Sequence, residues 1–242
     1  MNPTSHPAPL VAGILRDELL DIRFADPSSR NSFSIRAARE LHGVLDKASG
    51  RYKAVLFSAE GRVFCSGGNL ADYAGMETSD EGKVVNREIT AVLDAVAKIQ
   101  VPTICKVAGD CFGGGVELAS AFDYVFAVPH AYFGLWQRKI SLTYGWGGGA
   151  RLEARLGASR LKQLTLSTAS IPAAEALAIG LVDFVLPEPH LDLRAEEFAR
   201  RIISLPQTPL SLLKSWSAEK EQEIFESLWW NEEHRRALAS RK

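Results

Sequence analysis

The residues best suited to chemistry lie between positions 107 and 122, in the stretch V-A-G-D-C-F-G-G-G-V-E-L-A-S-A-F. The consecutive glycines Gly113, Gly114 and Gly115 favour the entry of a helix over its interior, and they let a ligand atom approach bare backbone N–H groups. Because such N–H groups are unpaired and lie at the positive end of the helix dipole, they would stabilise a developing oxyanion. Glu117 follows within about one turn and could act as an acid or a base. The alternative is a tight turn from strand to helix with a solvated glutamate.

A second glycine loop precedes this stretch, in the sequence G-R-V-F-C-S-G-G-N-L around Gly67 and Gly68. It follows a short apolar strand predicted over 53–59. In α/β folds, ligand clefts form where strands end and helices begin. If the N–H groups of the two loops converged, they would hold one carbonyl oxygen between them.

Other motifs in the sequence do not meet the requirements of the functions that they suggest. Gly145 to Ala150 fits the dinucleotide pattern G-x-G-x-x-A, but no β-branched strand leads into it and no acidic residue stands near 165–168 to bind a ribose. No phosphate loop and no G-x-S-x-G elbow is present. The histidines are scattered singly, which predicts no metal site: His6, His42, His130, His190 and His234.

Composition narrows the class of partner. The 28 Lys and Arg residues balance 29 Asp and Glu residues without a block of like charge, which argues against nucleic acid and membrane surfaces and favours a small molecule. Three cysteines are too few for a disulfide framework and indicate a reducing compartment. The N-terminus has no signal-peptide pattern, so we expect a cytoplasmic chain with a disordered segment over residues 1–9.

The remaining chain predicts an α/β fold with parallel pairing, because strands alternate with helices. A hairpin is expected over 10–24 with its tip at Asp17 and Glu18, then a helix capped by Ser34. Further strands are expected at 102–107, 124–128 and near 132–133, and helices at 88–99, 113–122, 147–156, 192–203 and 209–238. The C-terminal helices contain Trp216, Trp229 and Trp230. These side chains are more apolar surface than an isolated helical segment can bury, which predicts packing on the core or on another subunit.

Four segments together resemble the enoyl-CoA hydratase/isomerase family, the crotonases: F-C-S-G-G-N-L, C-F-G-G-G-V-E-L-A-S-A-F-D, G-W-G-G-G-A-R-L and A-A-E-A-L-A-I-G-L-V-D. The resemblance implies a core of spiralling ββα repeats over 10–190 and a helical trimerisation region over 191–242, in a homotrimer or homohexamer. It implies an acyl-CoA substrate whose thioester oxygen lies between the N–H groups of Ser66 and Gly114, with no dissociable cofactor. The implied substrate-binding residues are Ser29, Arg30, Gly67, Gly68, Asn69, Leu70 and Gly113.

The sequence also departs from the family pattern. Family hydratases use two glutamates; Glu117 supplies the first, and Gln137 stands at the second position. Because glutamine neither takes nor gives a proton at neutral pH, isomerisation is favoured over hydration. Tyr144 falls where methylmalonyl-CoA decarboxylases of the family place a tyrosine, and Asn69 replaces a common aspartate. A malonyl-type decarboxylase and a catalytically weak acyl-CoA-binding protein therefore stay open as alternatives.

Overall fold

The structure is a computed structural model that describes residues 8–240. Its strands are β1 (Val11–Arg16), β2 (Leu19–Phe24), β3 (Ala54–Ala59), β4 (Val63–Cys65), β5 (Thr103–Val107), β6 (Asp110–Phe112), β7 (Tyr124–Ala127), β8 (Tyr132–Gly134), β9 (Ile171–Pro172) and β10 (Phe184–Val185). Its helices are α1 (Ile35–Ala48), α2 (Ser79–Ala97), α3 (Gly114–Ala119), α4 (Gly148–Leu156), α5 (Ala158–Ser167), α6 (Ala173–Ala178), α7 (Glu188–Ile203), α8 (Gln207–Lys214), α9 (Glu221–Leu228) and α10 (Glu232–Ala239).

The N-terminal hairpin and the first helix form as predicted. Strands β1 and β2 pair antiparallel, and both turn residues, Asp17 and Glu18, have positive φ as a tight two-residue turn requires. The hydroxyl oxygen of Ser34 accepts a hydrogen bond from the N–H of Ala37 at 3.1 Å, which caps α1.

The core of the fold repeats one ββα unit. In each of β3-β4-α2, β5-β6-α3 and β7-β8-α4, the first strand joins a six-stranded sheet and the second joins a four-stranded sheet. Neighbouring repeats pair in parallel, whereas β1–β2 and β8–β9 are antiparallel. The α/β class and the ββα repeats are therefore confirmed, in sheets of mixed direction.

The short strands of the second sheet decide where the site lies. Strands β4 and β6 are three residues each, too short to carry a readable period, so the sequence predicts the glycine loops but not these two strands. They pair in parallel with Cys65 opposite Cys111, so the chain leaves both strands at the same edge of the sheet. The glycine loops that follow each strand consequently lie side by side.

The C-terminal helices are short and leave apolar surface uncovered in the single chain. Trp216, Trp229 and Trp230 are 49%, 59% and 61% exposed. Helices α8 to α10 line an apolar cavity of about 340 Å³ that is open to solvent and whose wall includes Phe225 and Trp229. Among the helices within residues 8–240, none is both long and apolar enough to cross a membrane. Residues 1–7 of the expected disordered segment lie outside the described residues, and the domain boundaries at 9 and 190 remain predictions.

Burial makes the three cysteines a probe of the folded core. Cys65, Cys105 and Cys111 are free and buried, and burial raises the pKa of the Cys65 thiol to about 12. A raised pKa keeps the thiol protonated well above neutral pH, and the protonated form is not the nucleophile. At pH 8 we therefore expect a disulfide reagent to label the native protein only as fast as it unfolds, and to label all three thiols in denaturant. Rapid labelling of the native protein would contradict this burial.

Candidate active site

Glu117 is the buried carboxylate around which the site is built. It is 2% exposed and lies in α3, whose residue Gly115 packs so closely on β4 that a Cβ there would fall 2.5 Å from the carbonyl oxygen of Cys65. Its carboxylate accepts four N–H donors. Oε2 accepts the backbone N–H of Trp146 at 2.9 Å and of Gly148 at 3.1 Å, while Oε1 accepts the N–H of Gly145 at 3.3 Å and the side-chain amide of Gln137 at 3.0 Å.

The start of α4 is shaped to receive this carboxylate. A Cβ on Gly148 would lie 2.6 Å from Cβ and 2.7 Å from Oε2 of Glu117, so only glycine fits there. The backbone N–H groups at the start of α4 have no partner within the helix, and the dipole of the helix favours a negative charge at that end. The sequence G-W-G-G-G thus forms an anion-binding helix start, and the anion is a side chain of the protein itself.

Gln137 lies directly beside Glu117 and is 8% exposed. Its Nε2 donates to Oε1 of Glu117, whereas its own carbonyl oxygen is buried and has no partner among the described residues. An unpaired buried acceptor costs about 1–3 kcal/mol. The site therefore holds one unused acceptor next to the carboxylate, which a donor on a bound molecule or water would satisfy.

The two glycine loops converge as the strand pairing requires. A Cβ on Gly67 would fall 3.5 Å from the backbone nitrogen of Gly114, so the loops are in contact. Within residues 8–240, the N–H groups of Gly68 and Gly114 have no hydrogen-bond partner. Gly113, at the turn into α3, has a φ of 54°, a conformation that favours glycine.

The structure corrects the assignment of Ser66 as an oxyanion donor. Its N–H donates to the carbonyl oxygen of Arg30 at 3.1 Å and is therefore already used. Arg30 has a φ of 57° and ends the turn Pro27–Ser29, in which the Ser29 hydroxyl donates to Asp26 at 2.6 Å. Ser29, Arg30 and Ser66 thus fix the loop, and Gly68 takes the place of Ser66 as a residue whose N–H group is unpaired in the described chain.

The other predicted contact residues lie at the rim of the second loop. Asn69 caps the turn Leu70–Asp72, because its Oδ1 accepts the N–H of Ala71 at 2.9 Å. Leu70 is 64% exposed, so it offers apolar surface at the mouth of the site. Neither residue makes a hydrogen bond to Glu117 in the described chain.

The hydroxyl of Tyr144 bonds to α5 and makes no hydrogen bond to Glu117 among the described residues. Its hydroxyl pairs with the hydroxyl of Thr165, and Thr165 donates its single proton to the carbonyl oxygen of Leu161 at 2.8 Å. Tyr144 must therefore be the donor to Thr165. This geometry gives Tyr144 a packing role between the start of α4 and α5 and engages its hydroxyl proton.

Sequence reasoning missed Trp146 as a site residue. Its indole is 5% exposed and lies against both glycine loops, and its backbone N–H binds Glu117. The available signal was a bulky side chain between glycines in G-W-G-G-G.

Within residues 8–240, no group of three or more His, Cys, Asp or Glu side chains is placed to hold a metal ion.

Comparison with known proteins names the class to which this fold and this site belong. The family model for enoyl-CoA hydratase/isomerase matches residues 16–228. The chain belongs to this family.

The individual proteins compared with this chain share 25–33% of their aligned residues with it. The mitochondrial methylglutaconyl-CoA hydratase of Homo sapiens is 33% identical over 190 residues, which is 76% of this chain and 55% of that protein. The mitochondrial enoyl-CoA hydratase domain-containing protein 2 of Bos taurus is 30% identical over 80% of this chain and 67% of its own length. A crystal structure of enoyl-CoA hydratase from Bacillus anthracis superposes with a TM-score of 0.88 at 25% identity, covering 96% of this chain and 95% of that one. The chain spans 55–60% of the length of the human, rat and mouse methylglutaconyl-CoA hydratases.

Proposed function

We propose that this enzyme isomerises a 3-enoyl-CoA thioester to the 2-enoyl isomer through an enolate. The N–H groups of Gly68 and Gly114 bind the thioester oxygen. Glu117 takes a proton from C2, the electrons delocalise onto that oxygen, and the same carboxylate returns the proton at C4. The observation that carries the proposal is that Glu117, the one buried carboxylate within residues 8–240, lies beside two converging loops whose Gly68 and Gly114 N–H groups are unpaired there.

The two carboxylate oxygens of Glu117 are not equivalent. Oε2 is bound by two main-chain N–H groups at the start of α4 and is therefore fixed. Oε1 is bound by the Gln137 amide, which can rotate, and by the longer 3.3 Å contact from Gly145. Oε1 is accordingly the oxygen that carries the proton. Gln137 can adapt to protonation of Glu117, because rotation of its side-chain amide would let its oxygen accept a hydrogen bond from the protonated carboxyl group.

A second candidate reaction is decarboxylation of a malonyl-type thioester. It is favoured by the four donors on Glu117, because they leave no acceptor position of the carboxylate open to a proton from C2. Decarboxylation needs the oxyanion donors but no strong base, since the departing CO₂ leaves its electron pair on C2. A third possibility is a protein that binds acyl-CoA without turning it over.

A substrate panel separates these reactions. We expect the wild-type enzyme to isomerise 3-hexenoyl-CoA. Its hydration of crotonyl-CoA should be slower than about 10 s⁻¹, a common turnover number for enzymes. Gln137→Glu should raise hydration, because it restores a second carboxylate next to Glu117. If wild type released CO₂ from methylmalonyl- or ethylmalonyl-CoA and Tyr144→Phe did not, the decarboxylase would be favoured instead. Binding of every thioester with no product would favour the binder.

We further propose that the chain forms a homotrimer or a dimer of trimers through its C-terminal helices. The support is the exposure of Trp216, Trp229 and Trp230 and the apolar cavity that Trp229 lines, which a monomer leaves in water. Sedimentation at micromolar concentration should show a species several times the 26.5 kDa of one chain. A 26.5 kDa monomer would refute the assembly.

The cytoplasmic location and the absence of a nucleic-acid or membrane partner stay predictions; the names of the relatives reported above place those proteins in mitochondria.

A further inference from the structure

One side chain contacts both glycine loops. A Cβ on Gly114 would fall 2.6 Å from Cη2 of Trp146, and a Cβ on Gly68 would fall 3.3 Å from the same ring atom. Neither glycine could bear a side chain without displacing the ring. The outer edge of the indole therefore contacts the backbone of Gly68 and Gly114, whose N–H groups are unpaired in the described chain.

The indole is itself held in place from two sides. Its Nε1 donates to Oδ1 of Asn86 on α2 at 3.0 Å, and the ring packs against Phe33 with the ring centroids 5.9 Å apart. The backbone of Trp146 is fixed as well. Its carbonyl oxygen accepts Nη2 of Arg151 at 2.7 Å, and that guanidinium also binds Asp94 at 2.9 Å.

The same residue reaches the carboxylate through its main chain. The backbone N–H of Trp146 donates to Oε2 of Glu117 at 2.9 Å. Trp146 therefore touches the oxyanion donors with its ring and the proton carrier with its backbone, and no hydrogen bond in the described chain holds the N–H groups of Gly68 and Gly114 instead.

We propose that Trp146 is a positioning residue, whose indole ring sets the separation of the Gly68 and Gly114 N–H groups. The inference rests on the proposed function, because it assumes that these two groups bind a thioester oxygen. Removing the outer ring edge would leave the loops free to approach or drift. A misplacement of about 1 Å at a catalytic group can cost about 10²-fold in rate.

The variant Trp146→Phe tests this directly, since it keeps an aromatic side chain and the backbone N–H but lacks the ring edge that touches the glycines. Asn86→Leu is the second variant: it keeps the indole and removes its anchor. Phe126→Leu is the matched control, because it shortens a buried aromatic residue that packs on Phe184 and Phe198. The readouts are kcat and KM for 3-hexenoyl-CoA, and the infrared stretch of an isotope-labelled thioester carbonyl in bound butanoyl-CoA.

In wild type, two donors on the carbonyl should lower its stretching frequency below that of free butanoyl-CoA. Trp146→Phe should return the frequency towards the free value and lower kcat by about 10²-fold with little change in KM; Asn86→Leu should give a smaller change in the same direction, and Phe126→Leu none. A full frequency shift in both site variants would overturn the role of Trp146 while leaving the proposed function intact. An unshifted carbonyl in wild type would overturn the proposed function, and this inference with it.

Discussion

Glu117→Gln is expected to lower isomerisation of 3-hexenoyl-CoA by about 10²–10⁴-fold, the usual contribution of a positioned acid or base. The change removes the carboxylate that stands beside the glycine loops, while an amide keeps its size. The fold should survive, because the Gln137 amide can turn over and accept from the new side-chain nitrogen. The measurement is kcat/KM at a temperature where circular dichroism shows the variant to be folded.

Glu40→Gln is the control for this change. Glu40 lies on α1 and, like Glu117, accepts two backbone N–H groups on one oxygen, those of Leu10 and Val11 at 2.5 and 2.9 Å. It should lose stability without losing kcat/KM. If Glu117→Gln and Glu40→Gln retained activity equally, Glu117 would be a structural anchor for α4 rather than the proton carrier.

Gly148→Ala is expected to lower kcat by about 10²-fold, because the new methyl group must displace either the Glu117 side chain or the start of α4. The Cβ would lie 2.7 Å from Oε2 of Glu117, and the neighbouring atoms belong to a side chain fixed by four donors. Chemical denaturation should show a loss of stability alongside the loss of rate.

Gly43→Ala provides the comparison for that variant. Gly43 is an interior residue of α1, and a Cβ there meets nothing within 4 Å. Replacing glycine by alanine inside a helix stabilises by about 0.5–1 kcal/mol, so this variant should be slightly more stable and fully active. Equal activity of Gly148→Ala and Gly43→Ala would mean that the contact between α4 and Glu117 does not position the carboxylate.

Features encoded by neighbouring residues could be predicted from the sequence. The hairpin turn at Asp17 and Glu18 and the Ser34 cap depend on a few consecutive residues, and both formed as expected. Helix α2 begins at Ser79, earlier than the predicted 88, because its first half is polar and exposed and gave no apolar period. Helix α3 ends at Ala119, short of the predicted Phe122.

Features that depend on distant contacts could not be predicted in the same way. Whether Ser66 or Gly68 offers a free N–H group is decided by the carbonyl oxygen of Arg30, which lies in a separate loop. The contacts of Trp146 with Gly68 and Gly114 join three segments of the chain. The residue types predict an oxyanion site with one carboxylate. Which backbone N–H groups can act as donors in that site depends on tertiary packing.

The most direct test of the central claim is the exchange of C2 hydrogens of butanoyl-CoA in D₂O, followed by NMR. This saturated thioester has no double bond to move, so exchange reports only the formation of an enolate. We predict enzyme-dependent incorporation of deuterium at C2 in wild type and its loss in Glu117→Gln. Saturating binding of butanoyl-CoA to wild type without any exchange would contradict the claim that Glu117 removes a proton from a thioester held by Gly68 and Gly114.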